Sequence, residues 1–404
     1  MELTTLDDWL SQEESAPIPV RGRRVFVRAD LNVPLASGQI VDDTRLRASA
    51  GSVKRLCAAG ARVILASHLG RPKGERVASL SLAPLAPALA ELTGLRVSFA
   101  NDCVGEEAQA ASHKLADGEV LLLENLRFHS GETGNDPQFA QALAGLADLY
   151  VNDAFGTAHR AHASTSGMVA LVPGAAAGDL LVDELRHLAT ILEPERPLLC
   201  LLGGAKVSDK LGVLQKLAER ADTLAVGGAM AYTFLAARGE SVGASLVEEQ
   251  RFEDARALLE RASAGQYRLL LPSDHRISQT VDGSTETRVA ASIPEGWMGV
   301  DIGPETARRY ALEADKARTI LWNGPMGIFE VDPFAKGTEA VARAVGNSPA
   351  TTVVGGGDSL AAVNKLGIAE SIDHLSTGGG ASLEFVQGIK LPGVAALEQA
   401  CESP

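Results

Sequence analysis

TTVVGGGDSLAAV, residues 351–363, runs a β-branched apolar stretch into three consecutive glycines and an aspartate. A strand that breaks into glycines and then starts a helix suits a phosphate. Glycine lets the backbone come close to the anion, and the first N–H groups of a helix have no partners of their own. Asp358 stands where a carboxylate would hold a magnesium ion against that phosphate. The pattern recurs in LSTGGGASLEF (375–385), PLLCLLGGAKVSDKL (197–211) and TLAVGGAMAYTF (223–234). Four strand-to-glycine turns in one half of a chain predict a parallel sheet with a nucleotide at its carboxyl edge.

Working back from that half, RRVFVRADL (23–31), ARVILASHL (61–69), VLLLENL (120–126) and DLYVNDAF (148–155) read as buried strands. Between them RLRASAGSVKRLCAAG (45–60), SLAPLAPALAELTG (81–94) and PQFAQALAGLA (137–147) read as helices. This alternation is βαβ grammar, hence an α/β fold. AAAGDLLVDELRHLATILEPERP (175–197) reads as an amphipathic helix opened by small residues, and a second βα series starts at Leu198. A chain of 404 residues is long for one core. The expectation is an N-terminal domain over 1–178, a connecting helix over 179–193 and a C-terminal domain over 194–383. The tail, 384–404, is too apolar for a disordered arm and is expected to pack on the N-terminal domain.

A net charge of −14 argues against nucleic acid or an anionic membrane as partner, since such surfaces repel an acidic protein. An anionic substrate then requires basic groups gathered locally. Cys57, Cys103, Cys200 and Cys401 are scattered without CxxC spacing, so neither a zinc site nor a disulfide framework is indicated. The opening MELTTLDDWLSQEES is acidic with no apolar signal core, and no stretch approaches the ~20 apolar residues of a membrane span. A cytoplasmic enzyme is expected.

The first half does gather such groups. Arg28, Asp30 and Asn32 lie in RADLNVP, and Arg45 in DDTRLR. His68 and Arg71 lie in SHLGRP, Arg127 and His129 in ENLRFH, and His159, Arg160 and His162 in GTAHRAH. Each cluster is read as following an apolar run directly, which in an open parallel sheet puts them at one carboxyl edge. Arginine is the natural fork for carboxylate and phosphate oxygens. In GGAKVSDK, Lys206 and Lys210 are four apart, so a helix there would set both ammonium groups on one face above the glycine turn. Glu330, after the Asn-Gly-Pro turn of ILWNGPMGIFE (320–330), is placed to accept from ribose hydroxyls. There is no GxxxxGK[ST] and no GxGxxG, which removes the ordinary P-loop and dinucleotide readings. The residues alone leave open several small-metabolite kinases, and also a phosphometabolite-binding protein without turnover.

Ten motifs in order carry a resemblance: RADLNVP, DDTRLRAS, SHLGRP, ENLRFH, VNDAFGTAHRAHAST, GGAKVSDK, GWMGVDIGP, WNGPMGIFE, VVGGGDS and STGGGASLEF. Together they resemble phosphoglycerate kinase, from about Arg24 to Leu397. The resemblance implies two doubly wound, Rossmann-like domains with an interdomain cleft, acting as a monomer. It implies reversible phosphoryl transfer between 1,3-bisphosphoglycerate and ADP, giving 3-phosphoglycerate and ATP, with magnesium. It implies Asp30, Asn32, Arg45, His68, Leu69, Gly70, Arg71, Arg127 and Arg160 on the phosphoglycerate. On the nucleotide side it implies Lys206, Lys210, Gly228, Gly299, Asn323, Pro325, Glu330, and Gly355, Gly356, Gly357, Asp358 and Ser359, with Asp358 on the metal. Gly378, Gly379 and Gly380 would cap the transferring phosphate, and Arg45, Lys206 and Lys210 would neutralise its charge. An ionised carboxylate nucleophile needs no general base, which fits cationic clusters without an acid–base pair. His275, Arg276 and Asp332 depart from the expected apolar pattern, and SGETGND after Phe128 reads as a variable loop.

Overall fold

The computed structural model describes residues 3–11, 19–36 and 38–402; the remainder of the acidic N-terminal stretch lies outside the described residues. The chain divides into two compact units, Met1–Leu185 with Lys390–Pro404, and Arg186–Ile389.

Six strands make the sheet of the first unit: β1 (Arg24–Ala29), β2 (Arg62–Ala66), β3 (Val97–Ala100), β4 (Val120–Leu123), β5 (Leu149–Asp153) and β6 (Ala175–Ala177). Their order is β3-β4-β2-β1-β5-β6, and every pair is parallel. Val25, Val27, Val63, Leu65 and Val151 have no more than 1% of their surface exposed, because helices cover the sheet and the strands need not alternate with polar residues.

The short strand β6 occupies the small residues ahead of the helix expected over 179–193. Ala175–Ala177 pairs with Tyr150–Asn152, and the helix begins only at Asp179, running to Leu192. Gly178 is the break. A Cβ there would lie 2.3 Å from an oxygen of the Asp153 carboxylate, so no side chain fits. That carboxylate accepts the Leu180 N–H at 2.9 Å, and the Ser52 hydroxyl accepts the Asp179 N–H at 3.0 Å. The helix start is thus capped from two neighbouring elements. Burial pushes Asp153 up to about 6. The helix Pro392–Glu402 belongs to this unit, with the Gly393 N–H on Ala158 O at 2.8 Å.

The second unit holds β7 (Leu198–Leu202), β8 (Thr223–Val226), β9 (Arg268–Leu270), β10 (His275–Ser278), β11 (Arg288–Ala290), β12 (Met298–Ile302), β13 (Thr319–Asn323), β14 (Thr351–Gly355) and β15 (His374–Ser376). The parallel sheet runs β9-β8-β7-β13-β14-β15. That is the doubly wound order, which reverses between β7 and β13. A separate antiparallel sheet, β11-β10-β12, adds to it. It absorbs two of the departures: His275 is buried with its ring tilted 5.5 Å from Tyr232, and Arg276 sits opposite Asp301. Asp332 pairs with Lys365 at 2.7 Å.

Candidate active site

In the first unit the polar groups at the carboxyl ends of β1, β2 and β4 are joined by hydrogen bonds. One terminal nitrogen of Arg45, the second residue of the helix Thr44–Ala58, donates to both Asp30 oxygens, at 3.1 and 3.0 Å, and to Asn32 O at 3.2 Å. Its other guanidinium nitrogens have no hydrogen bond among the described residues and remain available to an anion. Asn32 Oδ1 accepts the Gly70 N–H at 2.9 Å, and Arg127 donates to Gly70 O at 2.8 Å. Gly70 has φ +63, and a Cβ there would press on Leu80 at 2.8 Å. The chain can therefore turn tightly between Asn32 and Arg127. Leu69 is buried, and its carbonyl takes the Asn125 amide at 2.8 Å. Arg71 and Arg160 are exposed, and neither guanidinium has a partner among the described residues. Burial, then the charges of Arg28 and Arg160, lower Arg127 to about 10; its buried Nε has no hydrogen-bond partner. It stays charged at neutral pH.

Beneath this cluster lies a buried layer in which Arg28, His68 and His162, all singled out from the sequence, meet Ser164 and Glu132, which were not. Arg28, fully buried, donates to the Ser164 hydroxyl at 2.9 Å, to Ala29 O, and to His68 Nδ1 at 3.2 Å. Burial, then Arg28, Arg127 and Arg45, hold His68 well below the usual imidazole range, so it is neutral and accepts. Ser164 donates to Glu132 Oε1 at 2.6 Å through its hydroxyl and to Oε2 at 3.0 Å through its backbone. His162 Nδ1 stands 3.6 Å from the same carboxylate. Burial raises Glu132, but the neighbouring His162 ring, the Arg28 charge and the Ser164 hydroxyl outweigh it and leave it below its ordinary value. The segment read as a variable loop is thus partly a short helix, Ser130–Thr133, which carries this buried counter-charge. Asn125 was in plain view in ENLRFH: it bonds Leu69 O and Leu80 O and accepts the Arg127 N–H at 3.0 Å.

In the second unit the glycine turns converge where the strand order reverses. Lys210 Nζ donates to Gly203 O at 2.6 Å, just past β7, and to Asn323 O at 2.8 Å, at the end of β13. Gly203 N–H bonds Asn323 O at 3.1 Å, Gly228 N–H bonds Met326 O at 2.9 Å, and Gly324 N–H bonds the Ser359 hydroxyl at 2.6 Å. Glycine is required at this seam. A Cβ on Gly203 would lie 1.9 Å from Pro325 O, and one on Gly228 2.6 Å from the Gly204 backbone.

The expected lysine pair on one helical face is corrected here. The helix is Leu211–Leu217, and Lys206 to Lys210 form an irregular turn closed by the Lys210 N–H on Val207 O. Lys206 is exposed while Lys210 points into the seam. Burial, partly offset by Asp358 and Asp209, lowers Lys210 to about 8.

Asp358 is exposed at the second position of the helix Gly357–Lys365, and its carboxylate accepts no hydrogen bond among the described residues. Gly355 and Gly356 lie against the Asn323 side chain, each 3.3 Å from it by a would-be Cβ. Gly379, with φ +55 and ψ −113, precedes the short helix Gly380–Val386, and the N–H groups of Gly379 and Gly380 have no partner among the described residues. Gly299 lies on β12, where a Cβ would meet the Tyr232 hydroxyl at 2.0 Å. Ile328 N–H on Val300 O, at 2.9 Å, ties that strand to the turn carrying the exposed Glu330.

A family model described as phosphoglycerate kinase matches residues 16–389. The phosphoglycerate kinase of Moorella thermoacetica is 54% identical over 385 residues, 95% of this chain and 98% of its own length. The cytosolic phosphoglycerate kinase of Triticum aestivum is 50% identical, covering 94% of this chain and 96% of its own. The solved structure of phosphoglycerate kinase from Coxiella burnetii superposes with a TM-score of 0.86 at 38% identity, over 95% of this chain and 97% of that one.

Proposed function

The chain belongs to the phosphoglycerate kinase family, and on that premise we propose that the first unit holds the phosphoglycerate and the second the nucleotide. The enzyme is a glycolytic kinase that moves a phosphoryl group between 1,3-bisphosphoglycerate and ADP, giving 3-phosphoglycerate and ATP.

The observation that carries the assignment of roles is the contrast between the two strand-end clusters. One is a set of arginines with unspent donors, at Arg45, Arg71 and Arg160, and suits a small anion with a carboxylate and a phosphate. Asp30 and Asn32 hold Arg45 and Gly70 in place. The other is a seam of glycines and unpartnered N–H groups around one buried lysine, and suits a polyphosphate. Asn323, Pro325, Gly355 to Ser359, Gly299 and Glu330 complete that side. The free carboxylate of Asp358 fits magnesium, which favours one or two carboxylates together with substrate phosphates. When bound, the ion supplies positive charge that screens the phosphate oxygens. Lys206, Lys210, Arg45 and the N–H groups of Gly379 and Gly380 supply the rest as the carboxylate and the phosphorus approach in line.

Because the two sets belong to different units, transfer requires closure about the helix Asp179–Leu192. We read the protein as a cytoplasmic monomer; no described helix is long and apolar enough to cross a membrane. A coupled assay with each substrate varied in turn tests the roles. Asn32→Ala should raise KM for 3-phosphoglycerate alone, and Asp358→Ala should raise KM for the magnesium nucleotide alone. The opposite pattern would overturn them. A radius of gyration in solution that does not shrink when both substrates are bound would remove closure.

A further inference from the structure

We propose that Asp102, Cys103 and His129 form a binding site for a thiophilic divalent cation of the zinc class. Asp102 and Cys103 follow β3, and His129 follows the turn Leu126–Phe128 that succeeds β4, so adjacent strand ends bring the three together. One ligand atom of each, a carboxylate oxygen, the thiol sulfur and a ring nitrogen, lies within 4.8 Å of the others. His129 Nε2 is 2.7 Å from Asp102 Oδ1, and the same oxygen accepts the Cys103 N–H at 2.7 Å. In a tetrahedral zinc site, bonds of about 2.0–2.3 Å set ligand atoms about 3.3–3.7 Å apart. The cluster reaches that spacing by shifts of about 1 Å.

The donor set selects the metal. Sulfur, nitrogen and oxygen together suit zinc or cobalt and are foreign to magnesium. The surroundings fit as well. Cys103 is fully buried, while Asp102 and His129 are partly exposed, and His129 opens on a groove of about 530 Å3 that also contains Ser130 and Asp136. A fourth position can therefore be filled from solvent, as in zinc sites with three protein ligands. The His129 ring is already oriented by stacking on Phe139, with centroids 5.1 Å apart. Without a cation the thiol is inert: burial, then Asp102 and Glu132, push it well above its ordinary value. Binding a dication would release the thiol proton to solvent, while His129 would keep its single ring proton on Nδ1 and present Nε2 to the ion. His129 is two residues beyond Arg127, so the bound ion would also stiffen the turn that carries that arginine.

The test is titration of the full-length, nucleotide-free protein with Co2+, read by its near-ultraviolet thiolate-to-metal charge-transfer band. One equivalent should produce the band, Zn2+ should abolish it and Mg2+ should leave it. Cys103→Ser should remove it and Cys401→Ser should retain it. His129→Ala should weaken Co2+ binding by at least the roughly tenfold that loss of a group hydrogen-bonded to a metal ligand costs. Absence of the band at millimolar Co2+, its persistence in Cys103→Ser, or unchanged affinity in His129→Ala would each overturn the proposal. The His129 variant decides the matter if Cys103→Ser does not fold.

Discussion

Raising the pH should strip the buried ammonium of Lys210 of its proton well before an ordinary lysine loses its own. Its value in the folded protein is about 8, against 10.5 for an ordinary lysine, because the seam between β7 and β13 withholds water from it. In the free enzyme about half of Lys210 is charged at pH 8 and about a tenth at pH 9. The value of kcat/KM for the nucleotide, measured in a coupled assay with 3-phosphoglycerate saturating, should therefore fall about tenfold per pH unit above 8. Saturating nucleotide places phosphates beside the ammonium and favours its charged form, so the limb in kcat should move to higher pH.

Stability should move the other way. Between pH 8 and 10.5 the unfolded chain binds more protons at this site than the folded one, so this residue makes the fold more stable as pH rises, by up to about 3 kcal/mol. Opposite signs separate titration of Lys210 from alkaline unfolding. Lys210→Gln should lose the limb together with most of the rate. A flat kcat/KM up to pH 9.5, or an unchanged limb in Lys210→Gln, would refute the reasoning.

Arg45→Ala should lower kcat by ~10²-fold or more, as when a preorganised donor is lost, with little change in melting temperature; near-normal kcat would exclude it from the chemistry. Gly299→Ala should cost about 1–3 kcal/mol and raise KM for the nucleotide, since its methyl would overlap the Tyr232 hydroxyl; an unaltered denaturation midpoint would contradict the packing. Acid should destabilise the fold through His68. Its folded value lies below 6.5, so its contribution is complete above pH 6.5 and declines as pH falls below that. Melting temperature should drop between pH 6.5 and 5 less steeply in His68→Gln than in the parent; equal slopes would show that His68 does not titrate this way.

The four strand-to-glycine turns were legible because each is local: β-branched residues favour the strand, and the glycines that follow permit a close backbone. All four are the ends of β7, β8, β14 and β15. The junction of β7 with β13 was not legible, since those strands are more than a hundred residues apart and only sheet order makes them neighbours. Three alanines carry no strand preference of their own, so β6 was hidden at the head of an amphipathic pattern. The lysine spacing misled because a four-residue interval implies a shared face only within a helix, and the turn at Val207 delays the helix to Leu211. Glu132 stood in a polar run of loop composition; only its burial against Ser164 and Arg28 identifies it as the counter-charge beneath the arginines.

The return of Lys390–Pro404 to the first unit bears on how the protein is made. The second unit is a single uninterrupted stretch and can condense as soon as Ile389 has left the ribosome. The first unit begins earlier yet finishes last, because the carbonyl of Ala158 waits for Gly393, which translation reaches more than two hundred residues later. At roughly 5–20 residues per second, that interval leaves the older half of the nascent chain without its closing helix for some ten seconds or more.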